Sequence, residues 1–193
     1  MIYLARHGET AWSRTGQHTG LTDLPLTERG DTEAGELGSR LIGIAFAKGF
    51  TSPLQRAAGS CEIAGVGAGA ETDADLVEWN YGNYEGRTTV EIHVEAPNWQ
   101  LFRDGCPGGE TPAQVGARAD RVLTQLRAVN GNVLVFSSGH FLRVLAARCC
   151  RSPSARCSPA RPAAPMASCG SGPARSRNRS SQYTRQQRGV KRV

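Results

Sequence analysis

Ile2-Tyr3-Leu4-Ala5 runs directly into Arg6-His7-Gly8-Glu9-Thr10. A short apolar run that stops abruptly on charge is the pattern of a buried strand reaching the rim of a sheet. This reading sets Arg6 and His7 at a strand's carboxyl end. The pattern recurs where Val133-Leu134-Val135-Phe136 stops at Ser137-Ser138-Gly139-His140. It recurs again where the run from Ala45 to Thr51 ends at Ser52-Pro53, with Arg56 in the first turns of a helix predicted over Leu54 to Ala64.

Helical spacing fills the intervals. Thr27 can cap a helix whose apolar positions Ala34, Leu37, Leu41 and Ala45 share one face. Thr88 to Glu95 is a short helix stopped by Pro97. Thr111, Pro112 and Gln114 form a capping box ahead of Val115, Ala119, Val122 and Leu126, and Asn130-Gly131 ends that helix. Another helix is predicted over Phe141 to Arg148. Strands alternating with helices predict an α/β fold, a three-layer sandwich with a mostly parallel central sheet.

The chain has 193 residues, 39% of them hydrophobic, which suits one domain with a single core. Its formal charge of +6 is uneven. Residues 151–193 carry nine Arg and one Lys with no Asp or Glu, whereas residues 1–150 hold 13 basic and 17 acidic residues, a net of −4. Beyond Cys150 no apolar period survives and Tyr183 is the only aromatic. The expected organisation is therefore a domain over 1–150 and a basic tail over 151–193, either disordered or the product of a shifted reading frame, with the last strands of the sheet missing. No long apolar run and no signal-peptide pattern is present, so a cytoplasmic protein without membrane contact is expected. The six cysteines lack metal-site spacing and read as free thiols.

Open α/β sheets collect ligands beyond the carboxyl ends of their strands, which gathers Arg6, His7, Arg56 and His140 in one region. Guanidinium forks suit phosphate oxygens, and a histidine with one ring nitrogen exposed can act as a nucleophile. Phosphoryl chemistry is the expectation.

Leu4-Ala5-Arg6-His7-Gly8-Glu9-Thr10, followed by Trp12 and Thr19-Gly20-Leu21-Thr22-Asp23, resembles the signature of the histidine phosphatase superfamily, the phosphoglycerate-mutase-like proteins. Ser52-Pro53-Leu54-Gln55-Arg56-Ala57, Glu78-Trp79-Asn80-Tyr81-Gly82 and Ser138-Gly139-His140 are similar to its later motifs, in family order, over residues 2 to about 148. Gln17 to Asp23, Tyr81 to Gly86 and Arg103 to Cys106 with Gly109-Glu110-Thr111 most resemble sedoheptulose bisphosphatase and mycobacterial acid phosphatases within it.

The resemblance implies a phosphomonoester hydrolase working through a phosphohistidine on a small phosphorylated metabolite such as a sugar phosphate, with no metal or cofactor. In that scheme His7 attacks phosphorus, Arg6 and Arg56 hold the phosphoryl oxygens, and Glu78 serves as acid and then base. Ser13 and the backbone near Thr19 and Gly20 line the phosphate site, while Tyr81, Arg103, His140 and Arg143 face the rest of the substrate.

Two departures accompany the resemblance. The family's fourth motif reads Ser-His-Gly, and the position of its second catalytic imidazole is Ser138 here; His140 is a further histidine that some members also have. The resemblance also stops near Arg148. Both predict impaired turnover. A phosphoglycerate mutase would be expected to carry a Lys at Thr89 and an Arg pair near the following helix, and the sequence has neither. A degenerate member that only binds phosphorylated ligands is the other alternative. Nucleic-acid contact is confined to non-specific binding by the tail, and a homo-oligomer is compatible with the sequence.

Overall fold

The computed structural model describes residues 1–151 and 190–192. In chain order the elements are β1 (Ile2–Arg6), α1 (Ala11–Thr15), α2 (Glu28–Leu41), β2 (Lys48–Thr51), α3 (Gln55–Ile63), β3 (Ala70–Thr72), α4 (Thr89–Glu95), α5 (Leu101–Asp104), α6 (Pro112–Ala128), β4 (Val133–Ser137), α7 (Gly139–Arg151) and β5 (Val190–Arg192). The strands form one sheet in the order β3-β2-β4-β1-β5. β1, β2, β3 and β4 run parallel, with Arg6 opposite Ser137 and Thr51 opposite Phe136. The architecture is the expected α/β sandwich.

Period-two alternation decides which helices cover which face. Leu4, Phe50, Val133 and Val135 point into a core shared with Val115, Ala119, Val122 and Leu126 of α6 and Phe141, Leu142 and Leu145 of α7. Tyr3, Ala5, Leu134 and Phe136 point the other way, onto Leu37 and Leu41 of α2 and Cys61 of α3. β4 is buried along its whole length because both faces are covered, which is why its sequence is continuously apolar.

The capping box at Thr111 is present, with Thr111 Oγ1 accepting from Gln114 N and Gln114 Oε1 accepting from Thr111 N. A second box links Thr88 and Glu91. Thr27 caps α2 through Gly30 N, but α2 ends at Leu41, so Ala45 lies outside the helix and the following strand begins at Lys48 rather than Ala45. Ile42 leaves the helical conformation and Gly43 turns with φ +82°, a reversal that the apolar spacing through Ala45 concealed. The last helix starts two residues before Phe141 and extends past Arg148.

At the far edge of β1, β5 adds a short antiparallel strand, with Tyr3 opposite Arg192 and Ala5 opposite Val190. A sheet without further strands was expected, from the lack of an apolar period in the tail; three residues of that tail nevertheless join the sheet, because ladder pairing is made by backbone groups and not by side-chain pattern. The remainder of the tail, on which the disorder and reading-frame expectations fall, lies outside the described residues.

One contact fixes the loop after β1, which carries His7, against α2. A Cβ on Gly8 would lie 2.2 Å from the Gly30 carbonyl oxygen, and a Cβ on Gly30 would lie 2.2 Å from that of Glu9. Only glycine at both positions allows this approach. Thr27 N donates to the same Glu9 carbonyl at 2.9 Å.

Candidate active site

β1 delivers His7 to the sheet rim, where its backbone N–H donates to Ser137 O at 3.1 Å. Nδ1 lies 2.7 Å from the Gly8 carbonyl. Because a carbonyl can only accept, Nδ1 carries the proton and Nε2 presents its lone pair. Burial pushes the His7 pKa down to about 3, helped by the charges of Arg6 and Arg56 and opposed by the bond to Gly8. The imidazole is therefore neutral over the physiological range. Gly8 N donates to Ser60 Oγ at 3.0 Å, and Ser60 Oγ donates to Arg56 O, which ties the loop carrying His7 to α3.

Arg56, in the first turn of α3, is wholly buried. Its guanidinium donates to the carbonyls of Thr22 at 2.8 Å, Gly20 at 2.7 Å and Thr19 at 3.3 Å. Glu85 holds the same loop from the other side, accepting from Gly20 N at 2.8 Å and Thr22 N at 3.1 Å through Oε1. Burial lowers the Arg56 pKa, and the carboxylates of Glu78, Asp23 and Glu85 oppose that shift; a guanidinium stays cationic regardless. Arg56 Nε is buried with no hydrogen-bond partner among the described residues. Thr19 and Gly20 thus turn their carbonyls to Arg56, and the Gly20 N–H is occupied by Glu85.

Glu78 sits in the loop before the turn at Gly82–Tyr84 and is buried. Oε1 accepts from Trp79 N at 2.8 Å and Phe141 N at 2.7 Å, and Oε2 accepts from His140 N at 2.8 Å. The carboxyl group therefore rests on the amino-terminal turn of α7, where it accepts from N–H groups that have no partner within the helix. Oε1 thus accepts from two donors and Oε2 from one. The Glu78 backbone is fixed by buried Arg118, which donates to the carbonyls of Asp75, Val77 and Glu78 and pairs with Glu110 at 2.8 Å.

Above Glu78 the rings of His140, Tyr81, His18 and Phe102 meet, with centroid separations from 4.7 to 5.9 Å. Tyr81 Oη lies 2.5 Å from His140 Nδ1. Burial pushes the Tyr81 phenol well above its ordinary range, and the Glu78 charge adds to the shift. Burial lowers the His140 pKa against the raising effect of Glu78, and it brings His18 down to about 4.

The remaining sequence-predicted residues divide. Arg6 is at the rim, and a Cβ on Gly139 would come within 3.4 Å of its Nε. Arg143 is exposed on α7, close enough that its charge depresses the His140 pKa. Ser13 is a capping residue, its hydroxyl bonded to both N and O of Thr10. Arg103 turns outward, held by Asp104 and the Asn98 carbonyl. Ser138 is buried, its hydroxyl without a partner among the described residues. Sequence reasoning passed over Glu85, Arg118 and His18. Glu85 lay in a quoted motif but had no assigned role, and Arg118 looked like one more polar position on an amphipathic helix.

Residues 2–164 match the model of the histidine phosphatase superfamily, branch 1, so the likeness runs past Arg148, where the motifs end. The chain is 40% identical over 175 residues to an acid phosphatase of Mycobacterium tuberculosis, covering 88% of this chain and 85% of that protein. It is 35% identical over 179 residues to a sedoheptulose 1,7-bisphosphatase of Saccharomyces cerevisiae, covering 75% of this chain and 65% of the yeast protein. Among solved structures, an open reading frame product of Mycobacterium tuberculosis superposes with a TM-score of 0.74 at 38% identity, covering 79% of this chain and 80% of the other. The histidine at the end of β1, the buried arginine after β2 and the carboxylate beneath the rings thus stand in a chain that belongs to the histidine phosphatase superfamily, as one of its phosphatases.

Proposed function

We propose that the protein hydrolyses a small phosphorylated metabolite, such as a sugar phosphate, through a phosphohistidine on His7. The observation that carries this reading is the bond from His7 Nδ1–H to the Gly8 carbonyl, on an imidazole kept neutral by burial. Such a ring offers Nε2 as a nucleophile without prior loss of a proton.

In the first step Nε2 forms a bond to phosphorus as the ester P–O bond breaks, and the leaving alkoxide takes a proton from Glu78. Arg6 and Arg56 hold the phosphoryl oxygens as charge redistributes, an electrostatic contribution that needs no covalent chemistry from the arginines. In the second step water attacks phosphorus, Glu78 takes its proton, and the P–N bond breaks to release phosphate and restore neutral His7. The ring cluster of His140, Tyr81, His18 and Phe102 borders the leaving-group side, with Arg143 at its rim. Serine at position 138 leaves one imidazole fewer around the phosphoryl group, so turnover is slow.

Rapid quenching of the protein with a labelled phosphomonoester tests the reading. An acid-labile phosphoryl adduct on His7 is expected; label on another residue, or undiminished turnover in His7→Ala, would overturn it.

A further inference from the structure

We propose that Glu85 is the positioning residue of Arg56, holding in place the loop carbonyls on which that guanidinium rests; the inference depends on the reading of Arg56 as a ligand of the phosphoryl oxygens. Arg56 is a wholly buried cation, yet none of its hydrogen bonds goes to a carboxylate among the described residues. Its acceptors are the carbonyls of Thr19, Gly20 and Thr22, all in one loop. The guanidinium is therefore only as well placed as that loop.

The loop is tied at its ends. His18 N donates to Arg87 O at 2.9 Å and His18 O accepts from Gly86 N at 2.8 Å, while Asp23 accepts from the backbone and side chain of Gln55. Between those ties, the backbone bonds of residues 19–22 run to two side chains among the described residues, the carbonyls to Arg56 and the N–H groups to Glu85. Leu21, at the tip, is 48% exposed, so apolar burial does not fix it. The peptide unit between Thr19 and Gly20 is gripped from both sides, its C=O by Arg56 at 3.3 Å and its N–H by Glu85 at 2.8 Å. A trans peptide is planar and stiff, so holding its N–H one way aims its C=O the other. The fit is close: a Cβ on Gly20 would lie 2.5 Å from Glu85 Oε2. Glu85 thus sets the acceptors of Arg56 without bonding to the guanidinium itself. A carboxylate paired directly would occupy the fork that suits phosphoryl oxygens, whereas here Arg56 Nε stays unpaired among the described residues.

Two substitutions separate reach from charge. Glu85→Gln keeps an oxygen at the distance of Oε1 and loses the charge; Glu85→Asp keeps the charge and falls one methylene short of the two N–H groups. Binding of inorganic phosphate to the full chain is measured by titration calorimetry, on samples whose near-ultraviolet circular dichroism shows them folded. Glu85→Asp should weaken it about tenfold or more, the range for losing a hydrogen bond to a charged group. Glu85→Gln should stay within about threefold of the unmodified protein, well under the loss of one such bond. Nitrogen NMR adds a readout that a purely structural role would not move: the Arg56 guanidinium N–H groups, locked on three carbonyls, should give separate signals in the unmodified protein and in Glu85→Gln and merge in Glu85→Asp. Unchanged phosphate affinity or unchanged Arg56 signals in Glu85→Asp, or a loss in Glu85→Gln as large as in Glu85→Asp, would overturn the inference. Normal phosphate binding by a protein whose His7 never acquires label would sink the phosphohistidine reading, while the two variants still decide the role of Glu85. A protein that binds no phosphate at all overturns both.

Discussion

Tyr81 Oη stands 2.5 Å from Nδ1 of His140, on a residue whose backbone N–H is already held by Glu78. The phenol keeps its proton, since burial pushes its pKa well up, and the imidazole is depressed toward its neutral form. Donation from Oη to Nδ1 leaves the other ring nitrogen, Nε2, protonated and able to donate. Tyr81 is thus a positioning residue that sets the tautomer of His140.

Tyr81→Phe should therefore lower kcat/KM by about two- to tenfold, the scale of one neutral hydrogen bond, with little change in fold stability. Nitrogen NMR should show His140 losing its preference for the Nε2–H form. An unaltered tautomer in the variant would remove the assignment.

Glu78→Gln should reduce hydrolysis of a sugar phosphate far more than hydrolysis of nitrophenyl phosphate, because only the alkoxide needs a proton in order to leave. The same change should cost about 1–3 kcal/mol of stability. Its amide can accept at one end, yet its NH2 group must then face the N–H of His140 or those of Trp79 and Phe141. Paired kinetics on the two substrates, with a denaturant titration, separate the chemical loss from the structural one.

His7, depressed to about 3 from an ordinary 6.5, should remain neutral down to about pH 4, as read from its ring nitrogen shifts. The linkage has a definite sign. Below pH 6.5 the unfolded chain takes a proton on His7 that the folded chain refuses, so stability present above pH 6.5 is lost as pH falls toward 3. One proton corresponds to a slope of about 1.4 kcal/mol per pH unit within that window, and His18, held near 4, adds a smaller part from its less buried place. Urea midpoints between pH 7 and pH 4 should fall less steeply in His7→Asn.

Arg118→Ala should destabilise the protein by about 3–5 kcal/mol, because it strands the Glu110 carboxylate and three backbone carbonyls. Loss of activity should follow the loss of folded protein at low denaturant. A variant as stable as the parent would show that the loop before Glu78 is held by other contacts.

Much of this arrangement was legible from the chain. β1 and β4 announced themselves because burial on both faces demands continuous apolar residues, and the switch to polar residues at the end of each run marked the rim. The contacts that hold Arg56 and Glu78 in place were not legible. They run through backbone carbonyls and N–H groups, as with Arg56 on Thr19, Gly20 and Thr22, or Glu78 on Trp79, His140 and Phe141. Backbone groups are the same at every residue, so sequence carries no mark of which will be used. Arg103 shows the converse: its place in a family motif suggested a substrate contact, and its neighbour Asp104 holds it outward instead.

The contact between Gly8 and Gly30 reverses an ordinary rule of protein engineering. Replacing a helical glycine with alanine usually adds up to about 1 kcal/mol of stability, and Gly30 lies in the first turn of α2. Here the added methyl would meet the Glu9 carbonyl. Either the helix retreats or the strand-end loop carrying His7 does. A substitution made in the name of thermostability, on an element far along the chain from His7, would thus move the proposed nucleophile, and sequence optimisation of α2 has to treat its first turn as part of the support for the His7 loop.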